Sequence, residues 1–223
     1  MGVIETIALS MGLGWASGIN LYATLFMLGV LQHTGHVALP PELAIVADPL
    51  VIVAAGVMYC VEFFADKVPG VDTAWDAIHS FVRIPAGAVL AAGAVGDVSP
   101  AAELAAGLLG GTLAAGSHAL KAGSRIAINA SPEPFTNWTA SLAEDVLVIA
   151  GLWTALNQPG LFLAGLAAFV ALAIFTLPKL WRGLRRLSEA LTRSRGRPER
   201  TGADAAPAAG AAGAPAATEP REP

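Results

Sequence analysis

Apolar residues run through this chain in blocks too long for strands, separated by turn chemistry. The blocks fall at about 3–31, 49–67, 79–96, 101–128, 141–157 and 160–178. Each is close to the ~20 residues an α-helix needs to cross a bilayer at about 1.5 Å per residue. Between them stand Pro40-Pro41, Asp48-Pro49, Pro69-Gly70, Asp97 to Pro100, Pro132 to Pro134 and Gln158-Pro159-Gly160, all helix breakers or turn formers. The pattern predicts an all-α protein of six transmembrane helices. The first block is the longest and holds Gly12, Gly14 and Gly18. It reads either as one tilted helix or as two half-helices broken near Gly14 to Gly18.

Polar residues interrupt these blocks at helical spacing. Glu62 and Asp66 stand four apart on span 2 and share one face. On span 4, His118, Lys121 and Arg125 recur at steps of three and four, and Gly107, Gly111 and Ala114 continue that face as a surface for close helix approach. Asn137, Ser141 and Glu144 form a stripe with Asp145 beside it, Asp76, His79 and Arg83 align about span 3, and Ser17, Asn20 and Thr24 lie on span 1. An ionisable group at membrane depth costs at least about 2.5 kcal/mol and persists where it finds a partner or a water-filled cavity. Two arrangements satisfy that rule. In one, Glu62 or Glu144 pairs with Lys121 or Arg125 and locks the bundle. In the other, Glu62, Asp66, His118, Lys121, Arg125 and Glu144 line a polar cavity open to the cytoplasm.

Composition strengthens the membrane reading. Of 223 residues, 55% are hydrophobic and 13% charged, against roughly 25% charged in soluble domains. Apart from Lys67, Arg83, Lys121 and Arg125, all of the 13 lysines and arginines follow Leu177. The excess of basic residues on cytoplasmic connections, applied to six spans, places both termini and the 2–3 and 4–5 connections in the cytoplasm. The start of the chain has no basic segment and carries Glu5, so it reads as a retained first span. Cys60, the single cysteine, reads as a small core residue. After the transmembrane domain, 1–178, residues 179–193 set Leu180, Trp181, Leu184, Leu187 and Leu191 against Arg182, Arg185, Arg186 and Arg193. That is an amphipathic interfacial helix suited to anionic lipid, with no nucleic-acid role. Residues 194–223 are Ala/Pro/Gly-rich and predict a disordered tail.

Enzyme chemistry finds little support. Ser117 and His118 are adjacent, and neighbours on a helix point about 100° apart, so they form no nucleophile–base pair. No HExxH, CxxC, P-loop or GxGxxG pattern occurs. His33 and His36 stand three apart in a connection without further ligands, a weak metal signal. No cofactor or metal is expected. An internal echo is present: Pro69, Thr73, Trp75 and Ala77 recur 63 residues later as Pro132, Thr136, Trp138 and Ala140. Paired repeats around a central site are a common plan of transporters.

In order and spacing, several stretches resemble a bacterial family of polytopic membrane proteins, the domain-of-unknown-function 4126 family. They are SGINLYATLFMLGVL, EFFADKVPGVDTAWDAI, PAGAVLAAGAVGDVSP and GSRIAINASPEP, followed by Glu144. The resemblance runs from about Gly12 to Trp153. It implies a multi-pass inner-membrane protein and brings no catalytic residues with it. The residues themselves point first to a small transporter or channel for an ion, proton or small solute. There Glu62 and Glu144 would bind a cation or carry a proton, while Lys121 and Arg125 balance charge or meet an anion. The alternative is a membrane scaffold with structural ion pairs. Expected partners are the bilayer, anionic lipid at the basic helix and, in a homo-oligomer, further copies of the chain.

Overall fold

The structure, a computed structural model, describes residues 1–68, 70–129 and 134–195. Every regular element among them is helical: α1 (Val3–His33), a short 3-10 helix (Pro41–Ala47), α2 (Pro49–Ala65), α3 (Val71–Val95), α4 (Pro100–Asn129), α5 (Pro134–Asn157) and α6 (Pro159–Arg195). Proline opens α2, α4, α5 and α6, a position where its missing N–H loses no helical bond. Asp48 Oδ1 accepts from Leu50 N at 2.8 Å and Ser99 Oγ from Ala102 N at 3.1 Å, capping the starts of α2 and α4. By its internal contacts the chain divides into Met1–Arg185 and Arg186–Pro223. The second unit is described only to Arg195, so the expected tail beyond its first two residues lies outside the described residues, as do Pro69 and Pro132 of the echo.

α1 packs against α2, α3, α4 and α5, and it is not a straight rod. Asn20, at φ −146° and ψ 96°, leaves the helical region and divides it in two. The first half runs beside α3 and α4: Ser10 Oγ donates to Ala91 O at 2.7 Å, and Ser117 Oγ donates to Trp15 O at 2.9 Å. The second half turns back. Phe26 lies against Gly56, and Gly29 against Val46 and Ile52; Leu43, three residues before Val46, lies against Gly93. Gly93 neighbours the Ala91 that Ser10 bonds, so His33 returns to the end where Val3 began. Met1 and Thr6 line one open cavity with Ala38, Pro40, Val95 and Val98 at that same end. The chain break expected near Gly14 to Gly18 therefore falls at Asn20, and it reverses the helix.

The remaining helices each run once between the two ends. Gly12 of α1 lies by Ala155 of α5 and Phe162 of α6, and Gly123 of α4 lies by Leu180 of α6. The C-terminus lies outside the described residues. Because α1 folds back, Met1 stands at the opposite end from Lys67 and Leu180. By length and apolarity, α1, α3, α5 and α6 could each cross a membrane, and the 3-10 helix with α2, bent by 65°, makes a fifth candidate. α4 is 30 residues long, but it is rich in glycine and alanine and carries Lys121 and Arg125, so it is less apolar than those helices.

Other differences follow from where polar residues sit. α3 and α5 start at Val71 and Pro134, well ahead of the expected 79 and 141, because Asp72, Asp76, Asn137 and Ser141 are buried helix residues and not loop. α6 continues through Pro178 to Arg195, so the stretch 179–193 is not a separate helix. Cys60 is exposed on the outer face of α2.

Close approach of α1, α3 and α4 rests on small residues. A Cβ on Gly14 would lie 2.5 Å from Gly110 Cα, and one on Gly87 2.6 Å from Ala114 Cβ. α6 joins through Trp15, whose ring meets Phe162 and Phe169 edge-on, each at 5.9 Å. The bundle is inverted relative to a water-soluble one. Phe81, Phe135 and Leu50 are 85%, 82% and 77% exposed, whereas Arg83 and Arg125 are fully buried.

Candidate functional site

The fold brings the polar stripes of α2, α3, α4 and α5 together around the elbow of α1. Arg83 of α3 donates from Nη2 to Glu62 Oε1 at 2.6 Å and from Nη1 to Asp76 Oδ1 at 2.9 Å. Lys121 of α4 donates to Asp66 Oδ2 at 2.8 Å, to Glu62 Oε1 at 3.1 Å and to the carbonyl of Ile19 at 3.1 Å. Arg125 donates from Nη2 to Glu144 Oε2 at 2.6 Å and from Nη1 to the backbone oxygens of Asp66 and Asn137 and to Asn137 Oδ1. Lys121 also lies 3.7 Å from both Asp76 and Glu144. One network thus crosses four helices.

His118 extends it. Ser80 Oγ donates to Asp76 O at 2.9 Å, which leaves His118 Nε2–H to donate to Ser80 Oγ at 2.6 Å. Nδ1 then accepts from Arg83 Nη1 at 3.4 Å. This assignment, inferred from donor counting, makes His118 a neutral ring bridging α3 and α4.

The elbow matters because a broken helix exposes backbone groups that lipid cannot satisfy. Here side chains satisfy them. Asn20 Oδ1 accepts from Ala23 N at 2.9 Å and so caps the second half-helix, while Ile19 O accepts from Lys121. A cation at the carbonyl end of the first half-helix also suits that end's negative dipole. Asn20 Nδ2 donates to Asp145 Oδ1 at 2.9 Å. A second buried acid, Asp72, lies at the start of α3, where Oδ1 accepts from Gly70 N, Thr73 N and Asn129 Nδ2.

All six residues singled out from the sequence, Glu62, Asp66, His118, Lys121, Arg125 and Glu144, meet in this network. Glu144 stands at its edge, with 17% of its side chain exposed, against 0% for Glu62 and 3% for Asp66. Arg83, Asp76, Asn137, Asn20 and Asp145 belong to it as well. Their stripes were visible in the sequence, but the facing of one stripe toward another was not. Glu62, Asp66, Asp76, Glu144 and Asp145 outnumber Arg83, Lys121 and Arg125. Glu62 Oε2, Asp66 Oδ1, Asp76 Oδ2 and Asp145 Oδ2 are each buried without a hydrogen-bond partner among the described residues.

Charged groups sealed inside, with large apolar side chains turned outward on helices long enough to span, define an integral membrane protein of the helical type. The chain matches the family model described as Domain of unknown function (DUF4126) over residues 7–179, and it belongs to that family. Comparison with curated proteins and with solved structures returned no match.

Proposed function

We propose that this protein is a small membrane transporter or channel, without enzymatic activity, that moves an ion, proton or small solute through the network at the α1 elbow. One observation carries the reading: a helix packed among four others breaks at Asn20 and ends on a buried network with more carboxylates than cations. Half-helix ends and unwound backbone at the bilayer midplane are the recurrent ion sites of transporters. A merely structural bundle has no need to interrupt its central helix.

In this reading α2 to α6 cross the membrane and α1 is a re-entrant hairpin. Lys179, Arg182 and Arg185 are exposed at one end, and the excess of basic residues on cytoplasmic segments puts that end, with the α2–α3 and α4–α5 connections, in the cytoplasm. The same arginines would meet anionic lipid of an inner membrane. The N-terminus then faces the other side.

A scaffold reading draws on a different observation: Arg83, Lys121 and Arg125 each have a carboxylate within 2.8 Å. Liposome flux separates the two. Wild type and Glu144→Gln, reconstituted side by side, would be given gradients of protons, sodium, potassium, chloride and small neutral solutes. Glu144 is chosen because it stands at the exposed edge and its removal leaves Glu62 and Asp66 in place. Flux in wild type that falls in a folded Glu144→Gln supports transport. No flux of any species would leave the scaffold.

A further inference from the structure

Asp145 differs from the other carboxylates of the network. Glu62, Asp66, Asp76 and Glu144 each lie within 2.9 Å of a guanidinium or ammonium nitrogen. Asp145 has no such ion pair among the described residues, and its bond comes from the neutral amide of Asn20. It is 5% exposed, and its Oδ2 is sealed without a partner. Ser141 and Asn137 lie four and eight residues before it on the same face of α5. Each is 1% exposed, and Ser141 Oγ and Asn137 Nδ2 also lack partners. The charged groups facing Asp145 are Glu62 of α2, Asp66 at that helix's end and Lys121 of α4, with Tyr59 of α2 and Lys67 nearby. Lys121 is already bonded to both of those carboxylates.

We propose that Asp145 is a proton-carrying carboxyl, and that the species moved by this protein is the proton, which reaches Asp145 along the row Asn137, Ser141, Asp145. The proposal rests on the transport reading above. A buried carboxyl with no cation of its own is more stable neutral than ionised. Protonated at Oδ2, it supplies a donor; Ser141 Oγ one turn away both donates and accepts. Successive members of the row are about 6 Å apart along the helix axis, a gap that one water bonded to both side chains bridges. At each hop the donor's O–H bond breaks as the acceptor's forms, so water and the Ser141 hydroxyl are restored. The net change is one O–H bond made and later broken at Asp145 Oδ2, while the Asn137 amide orients the water without passing the proton. Because Asn20 holds the other oxygen, loss of that proton is felt at the break in α1.

The test uses the full chain in liposomes enclosing a pH-sensitive dye, with a potassium diffusion potential as driving force. Parallel vesicles report sodium, potassium, chloride and neutral-solute flux. The expected result is proton uptake by wild type, uptake at the level of empty liposomes for Asp145→Asn, and a slower rate for Ser141→Ala. Asp145→Asn should melt like wild type, because an amide replaces a neutral carboxyl of the same shape. An infrared pH titration should show a protonated-carboxyl band that Asp145→Asn loses. Proton flux or a carboxyl band unchanged in Asp145→Asn overturns the proposal, and so does a melt far below wild type. Flux of another species without protons overturns the proton assignment and leaves transport standing. No flux of any kind removes both.

Discussion

Glu62 is held on one oxygen by two buried cations, Arg83 and Lys121. Glu62→Gln leaves both with less negative charge than they need, and breaking a buried pair this way costs about 3–5 kcal/mol. A thermal melt in detergent should therefore place Glu62→Gln well below wild type. Glu144→Gln should fall less, since Arg125 keeps Asn137 and the Asp66 carbonyl. If the order is reversed, the assignment of Glu62 as the network's centre is wrong. Asn20→Ala removes the cap on Ala23 N and should destabilise by about 1–2 kcal/mol, read in the same melt. Glu62 and Asp66 were legible in the sequence because a spacing of four puts two side chains on one helix face. Arg83 was legible as part of a stripe, but its partnership with Glu62 joins residues 21 apart in sequence, which periodicity does not report.

At the scale of helices, glycines serve two separate ends. Gly14→Ala would press its Cβ into the backbone of Gly110, and such overpacking costs about 1–3 kcal/mol. Gly165, on α6, has open space around it, so Gly165→Ala should be neutral or stabilise by about 0.4–1 kcal/mol through the unfolded chain. Melting both variants checks this contrast. The starts of α3 and α5 escaped the apolar pattern because their polar residues resemble loop sequence until the network that buries them is known. The echo has a related lesson. It aligns Trp75 with Trp138, yet Trp75 stacks on His79 at 4.0 Å while Trp138 is 57% exposed. The buried faces, Asp72 and Asp76 against Asn137 and Ser141, match at 65 residues, not 63. Shared sequence at a helix start is thus no guarantee of shared register.

The whole molecule makes a prediction about sidedness. In a Cys60→Ala background, cysteines at His36 and Asp97 should react with a membrane-impermeant maleimide from one side, and a cysteine at Lys67 from the other. A tag at Met1 should share the side of His36. A straight α1 would put Met1 and His36 on opposite sides, so that result would refute the fold-back. From the residues alone came the all-helical character, the membrane class and the helix faces that carry charge, since apolar block length and a repeat of 3.6 residues are local properties. Two things were decided only by tertiary structure. One is the direction of α1 after Asn20, because a single residue's backbone angles set the path of a half-helix while leaving its composition unchanged. The other is which apolar residues are core: Cys60 and Phe81 face outward, and in lipid an outward face is as apolar as an inward one. What distinguishes the two faces is the presence of a packed neighbour, and that is a property of the assembled bundle.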